Sequence, residues 1–512
     1  MSQQSYLIDT NILIGLEDNH QVKPAYAEFS RLAAKHNVSV FVHEASRDEV
    51  TRDKDVVRRQ VSLSKIKKFQ ILARRRGLKE VDLESEFGKL RKPNDVVDAT
   101  LLHTLTIGAV DFLVTQDKGL HERARVHSSE IARRVLFAAD ATQLLVQTYE
   151  PKQVPIRHVA DIEAHTIDHE EGFFDSLRDG YPEFNEWWQE KCIGERRPCW
   201  VVYDDDVLAG LIVRKDETPA DTDAISDAKR ILKICTFKVR PEKRGVKLGE
   251  LLLKQVLWFA QTNNYDLAYL TAYEDQEALI SLLEFYGFRK TGTKGATESV
   301  FERTFSSNPL AKSPEQSTFD TSRKNYPRFL VNDRVRGFGV PILEQWHDTL
   351  YPDLWRPRQP DLFTAAPHVE VPTRPGNTIR KVYLCRAKSN LADPGSVLFF
   401  YKSKSVDPPS QSMTAVGILE EVSWANSTKQ LMLMAGGRSV YSEEQLEEWS
   451  ASQERPVKVI NFLLIGYIEP SIGLSELRDL GVVKGHPQQT IYELKGDTFR
   501  LLLDRANLGF PV

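Results

Sequence analysis

The sequence has few cysteines and none of the patterns that would place a protein in a membrane. Its 512 residues include four cysteines, without a CxxC pair or paired histidines near them, which argues against a zinc site or a disulfide framework. No apolar run approaches the ~18 residues of a spanning helix, and the N-terminus lacks a basic-then-apolar leader pattern. We therefore expect a cytoplasmic protein with reduced thiols and no membrane partner.

The sequence also lacks a strong excess of charge, although the charge is unevenly distributed. The net charge is −4, with 41% hydrophobic and 27% charged residues, as in ordinary soluble proteins. Between Arg52 and Lys92, however, there are 14 Lys and Arg against 6 Asp and Glu. This excess suits contact with a phosphate backbone, although a solvated helical face would have the same composition.

The order of the patterns predicts a three-domain α/β chain. Short apolar strands alternate with helical periodicity over residues 1–148, which is typical of a parallel-sheet α/β fold. A second α/β region is predicted at 155–305. The Ser- and Pro-rich stretch 306–322 has no periodicity and indicates a linker. Residues 323–512 contain β-like runs separated by Pro and Gly, which predicts a mixed β-barrel.

In the first region, acidic residues follow apolar runs. The run "SYLIDTN" ends at Asp9, and "DFLVTQD" ends at Asp117. Because the carboxyl ends of parallel strands share one edge of a sheet, we expect both carboxylates at the same crevice. The helix-like segment "SRDEV" supplies either Asp48 or Glu49. The spacing leaves that choice open, and we favour Glu49.

A further pair of carboxylates stands at a predicted helix start, "NDVVDA". Asn94 is the expected N-cap, and Asp95 and Asp98 lie three residues apart on one helical face. Oxygen ligands of this kind suit Mg²⁺ or Mn²⁺. The predicted metal ligands are Asp9, Glu49, Asp95, Asp98 and Asp117.

Taken together, "LIDTNILI", "DEV", "NDVVDA" and "LVTQDKGL" resemble the motifs of PIN-domain ribonucleases, in the order found in that family. The resemblance implies a PIN-like domain that cleaves RNA with the help of Mg²⁺ or Mn²⁺. Thr10 or Asn11 would orient the first carboxylate. The implied catalytic residues are Asp9, Glu49, Asp95 and Asp117.

The second region contains a strand–loop–helix junction, "TFKVRPEKRGVKLGELLL". Backbone amides at such a junction, aided by the helix dipole, form an anion site. The candidate phosphate-binding residues are Val239, Arg244, Gly245, Val246, Lys247, Leu248 and Gly249.

This junction, with the downstream "LISLLEFYGF", resembles the GNAT acetyltransferases. The resemblance implies a GNAT-like α+β domain that binds acetyl-CoA through the junction. Arg244 and Gly249 fit the outer positions of the family's pyrophosphate motif, whereas Lys247 replaces its first glycine. Leu283 stands where the family has a tyrosine that protonates the departing thiolate, which leucine cannot do. Tyr286, three residues further along the helix, points about 60° away.

The third region carries "LADPGSVLFFYKS" and "TAVGILEEV", which resemble the PUA-like superfamily, including ASCH and EVE modules. The resemblance implies a mixed β-barrel that binds RNA or modified bases. Aromatic residues here suit either base stacking or core packing: Trp346, Trp355, Tyr401 and Trp424.

Three functions are consistent with the sequence. The first, which we favour because its residue set is complete, is a metal-dependent endoribonuclease acting on tRNA or other structured RNA, as a toxin-like effector with an acetyl-CoA-binding domain. The second makes the GNAT domain the effector, for example on aminoacyl-tRNA. In the third, a non-catalytic GNAT fold restrains the nuclease. An antitoxin or regulatory partner and self-association are left open.

Overall fold

The computed structural model describes most of the chain, and the described residues fall in two compact units. The first unit comprises Met1–Lys152, Ala425–Gly437 and Glu443–Arg455, and the second comprises Gln153–Trp424, Arg438–Ser442 and Pro456–Val512. In the described part, no helix has the length and apolarity needed to cross a membrane. The described residues are 4–17, 24–53, 55–149, 159–204, 207–240, 248–295, 297–312, 315–354, 379–387, 389–406, 408–435, 441, 443–485 and 489–510.

The first unit is built on a five-stranded sheet in which every strand pair is parallel. Its strands are β1 (Ser5–Ile8), β2 (Ser39–His43), β3 (Gln70–Leu72), β4 (Phe112–Val114) and β5 (Val135–Leu136). Their order is β3-β2-β1-β4-β5. The direction of strand addition therefore reverses between β1 and β4, whose carboxyl ends border a topological switch point.

Helices connect these strands and cover the sheet. They are α1 (Thr10–Glu17), α2 (Pro24–Lys35), α3 (Glu44–Thr51), α4 (Val56–Ile66), α5 (Glu80–Phe87), α6 (Pro93–Thr106), α7 (Lys118–His127), α8 (Ser129–Arg134) and α9 (Ala138–Tyr149). Successive residues of β1 point to opposite faces, so Tyr6 and Ile8 join one apolar cluster and Leu7 joins another. Both faces of the strand are buried, as is usual for a parallel sheet. The predicted α/β class with a parallel sheet is confirmed, and the PIN assignment stays a prediction.

The second unit contains two sheets. The strands of the seven-stranded sheet are β6 (Ala160–Glu163), β7 (Pro198–Asp204), β8 (Val207–Glu217), β9 (Ile231–Val239), β10 (Leu267–Tyr273), β11 (Arg289–Lys294) and β12 (Glu298–Thr304), in the order β11-β12-β10-β9-β8-β7-β6. Those of the six-stranded sheet are β13 (Gly337–Ile342), β14 (Arg380–Cys385), β15 (Val397–Lys402), β16 (Ser412–Ala425), β17 (Val457–Gly473) and β18 (Tyr492–Leu494), in the order β14-β17-β16-β15-β13-β18.

The remaining helices are α10 (Asp175–Gly180), α11 (Phe184–Trp187), α12 (Leu248–Thr262), α13 (Glu277–Phe285), α14 (Thr318–Lys324), α15 (Glu344–Leu350), α16 (Thr428–Ala435), α17 (Glu443–Glu448), α18 (Leu474–Asp479) and α19 (Asp497–Arg505). Of these, α16 and α17 belong to the first unit. Short 3-10 turns lie at Ala164–Thr166, Gly172–Phe174 and Pro352–Leu354, and a π-helix at Trp188–Ile193 follows α11.

One apolar cluster joins the two sheets of the second unit. It contains Leu252 of α12 and Tyr286 after α13, together with Tyr326, Phe399 of β15 and Leu463 of β17. The regions predicted as separate domains at 155–305 and 323–512 thus share a core. The predicted C-terminal domain must also be corrected because its residues 425–437 and 443–455 group with the first unit.

The predicted linker at 306–322 is also wrong in part. Within it, Ser317 accepts a hydrogen bond from Asp320 N and caps α14, whose Thr321 and Ser322 are 2% and 0% exposed. Serine is a preferred N-cap residue, so the composition that indicated a linker instead marks a helix start.

Candidate functional site

The second unit has an opening in its larger sheet between β9 and β10. These parallel strands pair through only three residue pairs, from Leu267 with Ile231 to Tyr269 with Lys233. Beyond them, β9 continues to Val239 along β8, and β10 continues to Tyr273 along β12. No further pairing between β9 and β10 occurs in the described residues. The strands therefore separate toward their carboxyl ends, where α/β sheets place ligands.

The next described element after β9 in the chain is a helix. Helix α12 begins at Leu248, and the amides of its first turn have no partners within the helix, as at every helix start. Among the described residues, the atom that a Cβ at Gly249 would meet is Leu282 Cδ2, at 3.4 Å. Of the predicted pyrophosphate residues, Val239, Leu248 and Gly249 are described. Those that lie outside the described residues are Arg244, Gly245, Val246 and Lys247.

Neither Leu283 nor Tyr286 presents an acid to this opening. Both side chains are 0% exposed, and the Tyr286 hydroxyl donates to Glu250 Oε1 at 3.3 Å. Burial, reinforced by the Glu250 charge, raises the pKa of Tyr286 well above its usual value. The acid that is missing from the sequence motif is thus also missing at these two positions in the fold.

Three side chains converge at the carboxyl end of β10, and sequence reasoning missed all three. Tyr273 ends β10 and lies opposite Glu298 on β12. Tyr181 follows α10 and donates its hydroxyl to Glu298 Oε1 at 3.2 Å, and its ring centroid lies 5.7 Å from that of Tyr273. Burial and hydrogen bonds with Tyr273 and Glu298 raise the pKa of Tyr181. The mouth of the opening therefore carries two phenols and a carboxylate.

In the first unit, Asp9 lies at the switch point predicted for it. Its side chain is 5% exposed and accepts three hydrogen bonds, each of 2.6 Å. Thr10 N donates to Oδ1, and Asn11 Nδ2 and Thr115 Oγ1 donate to Oδ2. The expected orienting role thus falls to both residues of the Thr-Asn pair. Thr115, which follows β4, is a third donor that was not predicted from the sequence. Its position two residues before Asp117 in "LVTQD" is the one sequence feature that could have indicated it.

The structure distinguishes Glu49 from Asp48. Thr10 Oγ1 donates to Glu49 Oε2 at 2.6 Å, so Glu49 is connected to Asp9 through one residue. The Asp48 side chain is 46% exposed and pairs with Arg74 at 3.2 Å. Glu49 is therefore the member of the pair that belongs to the carboxylate group.

Asp95 and Asp98 have different surroundings. Asp95 Oδ2 accepts from Arg91 N at 2.7 Å and Lys92 N at 3.1 Å, which lowers the pKa of Asp95 and caps α6. Asp98 interacts electrostatically with Asp9, Glu49 and Asp117. Asp98, rather than Asp95, is therefore the member of the pair on which the charges of the other carboxylates act.

Two members of this carboxylate group, Asp9 and Asp98, have raised pKa values. Burial, together with the charges of Glu49 and Asp117, raises the pKa of Asp9 to about 6 despite the hydrogen bonds from Thr115 and Thr10. Burial and the charges of Asp9, Asp117 and Glu49 raise that of Asp98 to about 8. A divalent cation would relieve this repulsion. In the described part of the chain, however, no three His, Cys, Asp or Glu side chains are grouped closely enough to hold one.

The predicted stacking aromatics of the third region have different environments. Tyr401 is 3% exposed and belongs to the core. Trp346 packs on Tyr441 with ring centroids 4.5 Å apart. Trp424 is 42% exposed, with Lys458 Nζ 4.9 Å above its ring, and Trp355 lies outside the described residues. Only Trp424 among the described three has an exposed ring of the kind that stacking requires.

Comparison with known proteins supports the predicted GNAT-like fold of the second region. The sequence profile of the acetyltransferase (GNAT) family matches residues 162–288. A search of curated proteins gives no match. Similar solved structures include Arabidopsis thaliana NAA60 with a bisubstrate analogue, at 14% identity, TM-score 0.24, and coverage of 29% of this chain and 97% of that one. PaiA N-acetyltransferase from Thermoplasma acidophilum with coenzyme A has 15% identity, TM-score 0.23, and coverage of 29% and 99%.

An ASCH protein from Zymomonas mobilis is also similar, with 14% identity, TM-score 0.24, and coverage of 33% of this chain and 94% of that one. The profile match identifies a GNAT acetyltransferase domain at residues 162–288, within the predicted range 155–305. The PUA-like assignment of the third region stays a prediction.

Proposed function

We propose that this protein is an N-acetyltransferase that moves the acetyl group of acetyl-CoA to a primary amine. The observation that carries the proposal is the early end of pairing between β9 and β10, beside the N-terminus of α12. In the proposed reaction, the amine nitrogen attacks the thioester carbonyl, the carbon–sulfur bond breaks, and the amine loses a proton while the thiolate gains one. Leucine at 283 has no acidic proton and Tyr286 is buried, so in this proposal solvent water gives the thiolate its proton and accepts the one that the amine loses.

The mouth of the opening favours a cationic acceptor. The Glu298 carboxylate attracts an ammonium group, and the faces of Tyr181 and Tyr273 stabilise a nearby cation by about 0.5–2 kcal/mol. We therefore infer that the acceptor carries a second positive charge beside the amine that reacts.

Acetyl-CoA binding tests the cofactor part of the proposal. We expect Gly249→Asp to weaken acetyl-CoA binding at least tenfold in calorimetry, because a carboxylate in the first turn of α12 would repel the pyrophosphate. The helix itself should tolerate the change, since an acidic residue is favourable near a helix N-terminus.

Gly249→Ala is the matched control, since its added Cβ would make an ordinary van der Waals contact with Leu282 Cδ2 at 3.4 Å. If the unmodified protein gives no heat with acetyl-CoA and no competition by CoA at millimolar concentration, the acetyltransferase proposal is withdrawn.

The acceptor part predicts a change in KM. Glu298→Gln should raise the KM for a diamine about tenfold, because an ion-paired contact of about 1.4 kcal/mol is lost, and should leave the KM for an uncharged-tail amine unchanged. Initial rates of CoA release measure both. An equal rise for both amines would place Glu298 outside the acceptor site. Acetyl-CoA affinity is measured in parallel. If acetyl-CoA still binds, only the role of Glu298 is wrong; if it does not bind, the whole proposal fails.

A second candidate function is metal-dependent RNA cleavage by the first unit. The observation in its favour is the hydrogen-bonded connection of Asp9 to Glu49 through Thr10, beside the switch point of a parallel sheet. The charges of Glu49 and Asp117 act on both Asp9 and Asp98 there. When bound, Mg²⁺ or Mn²⁺ would activate water and stabilise phosphate charge. The chain's own residues would hold the carboxylates in place, chiefly through Thr10, Asn11 and Thr115. A tRNA target, selection of RNA by the β-rich region and a toxin-like role are parts of this hypothesis.

A further inference from the structure

The first unit contains a cleft of about 230 Å³ that the carboxylate group does not use. It lies at the carboxyl ends of β2 and β3, where His43 and Leu72 end their strands. Residues of α6 form another wall, and Arg75 follows β3 at the rim. The volume is below the roughly 300 Å³ at which pockets for drug-sized ligands begin, so the cleft fits one small ligand or one unit of a polymer.

His43 provides a buried hydrogen-bond donor in this cleft. The side chain is 2% exposed, and its Nδ1 accepts from Ala45 N at 3.0 Å to cap α3. The ring proton must therefore reside on Nε2. Burial, together with the positive charge of Arg74, lowers the pKa of His43 to about 4, so the ring is neutral at pH 7. Among the described residues, no group accepts a hydrogen bond from Nε2.

The other polar groups of the cleft are one cation and several side chains whose hydrogen-bond donors are already used within the protein. Arg75 is exposed, and its Nη1 lies 3.5 Å from His103 Nε2. His103 Nδ1 lies 2.8 Å from Glu86 Oε2, an arrangement that favours a proton on Nδ1. The Thr100 and Thr104 hydroxyls donate to the backbone carbonyls of Val96 and Thr100. The free donors of the lining are thus concentrated on His43 and Arg75.

The remaining wall is apolar. Leu72 and Leu78 lie on one side, and Ile107 and Ala109 follow α6 on the other. A ligand that satisfies this lining needs an anionic oxygen group for Arg75 and His43 and a flat or compact apolar part for the wall. The basic composition of residues 52–92, with 14 Lys and Arg against 6 acidic residues, favours a phosphate as the anion.

We propose that this cleft binds one nucleotide through its phosphate, which accepts hydrogen bonds from Arg75 and from His43 Nε2 while the base contacts the apolar wall. The nucleotide is either free in solution or part of an RNA strand. The site requires neither acetyl-CoA nor a metal ion, so it can be tested separately from both proposed functions.

The test is calorimetric titration of the full chain in EDTA with AMP, CMP, GMP and UMP, and with adenosine and inorganic phosphate. Short RNAs with and without a 5′-phosphate distinguish free nucleotides from a strand. We expect at least one nucleotide or phosphorylated RNA to bind, and Arg75→Gln to weaken that binding about ten- to a hundredfold, as for a charge-assisted contact.

Two further variants make the test specific. His43→Asn retains a side chain suited to the helix cap but removes the ring Nε2–H, and it should also weaken binding. Arg76→Gln changes an exposed neighbour outside the cleft lining and should have no effect. The proposal is overturned if no nucleotide or RNA binds at millimolar concentration, if adenosine or phosphate binds as tightly as AMP, or if Arg75→Gln and Arg76→Gln behave alike.

Discussion

On the hypothesis that the first unit cleaves RNA, replacing Asp9 with asparagine is expected to abolish that Mg²⁺-dependent cleavage while leaving the unit folded. The substitution retains the shape of the side chain and an acceptor for Thr10 N, but it removes one carboxylate oxygen and the charge that would bind a metal ion. The expected loss exceeds a hundredfold, because even groups that only support a metal ligand are worth about 10- to 100-fold. Mapping the ends formed from labelled tRNA and total RNA, with Mg²⁺ or EDTA, measures the effect.

Asp48→Asn is the matched control for this experiment. Asp48 precedes Glu49 on the same helix but is half-exposed and pairs with Arg74, so its loss should leave cleavage intact. Full cleavage by an Asp9→Asn, Asp117→Asn double variant would contradict the metal-site hypothesis. If the unmodified protein cleaves no RNA, the nuclease hypothesis ends and the acetyltransferase proposal is unaffected.

The carboxylate positions at the sheet edge followed from the sequence because an acidic residue after a buried strand depends on local pattern alone. The helix start at "KPNDVVDA" was harder to predict. The helix begins at Pro93 rather than after Asn94, as suits proline in the first turn, with Lys92 as its N-cap. Asp95 is therefore the third residue of the helix and binds the free amides before it, so Asp98 is the residue that reaches the carboxylate group. The N-cap lies two residues earlier than expected, at Lys92 instead of Asn94, and this shift changes the roles of both Asp95 and Asp98.

Long-range contacts could not be predicted in this way. Tyr181 and Glu298 are 117 residues apart in sequence and meet only because a loop and the first residue of β12 lie at the same sheet edge. The GNAT motif identified the domain, but the motif concerns the cofactor side, and the acceptor side has no fixed sequence pattern to detect. The shared core of the second unit was missed for a similar reason, since apolar residues on α12 are equally consistent with packing on one sheet or on two.

The second large effect is on stability. We expect Arg380→Leu to lower the free energy of unfolding of the second unit by about 3–5 kcal/mol, as when one partner of a buried ion pair is removed. The Arg380 guanidinium bonds to Glu420, with side-chain exposures of 17% and 14%, and lies 4.7 Å from the Phe285 ring centroid. Its backbone N–H donates to Glu250 Oε1 at 2.7 Å. The residue thus connects β14 with the helices of the GNAT domain.

Urea unfolding followed by tryptophan fluorescence measures this change. Arg500→Leu is the control, since Arg500 and Asp333 form an exposed pair with side-chain exposures of 69% and 92%, and such pairs contribute about 1 kcal/mol or less. Because one apolar cluster spans both sheets, Arg380→Leu should lower the stability of the GNAT domain together with that of the β-rich region. Limited proteolysis during unfolding distinguishes the two regions. A variant in which residues 162–288 retain their original stability while the β-rich region unfolds would show that the two regions fold independently, and that the GNAT domain does not depend on the six-stranded sheet for its stability.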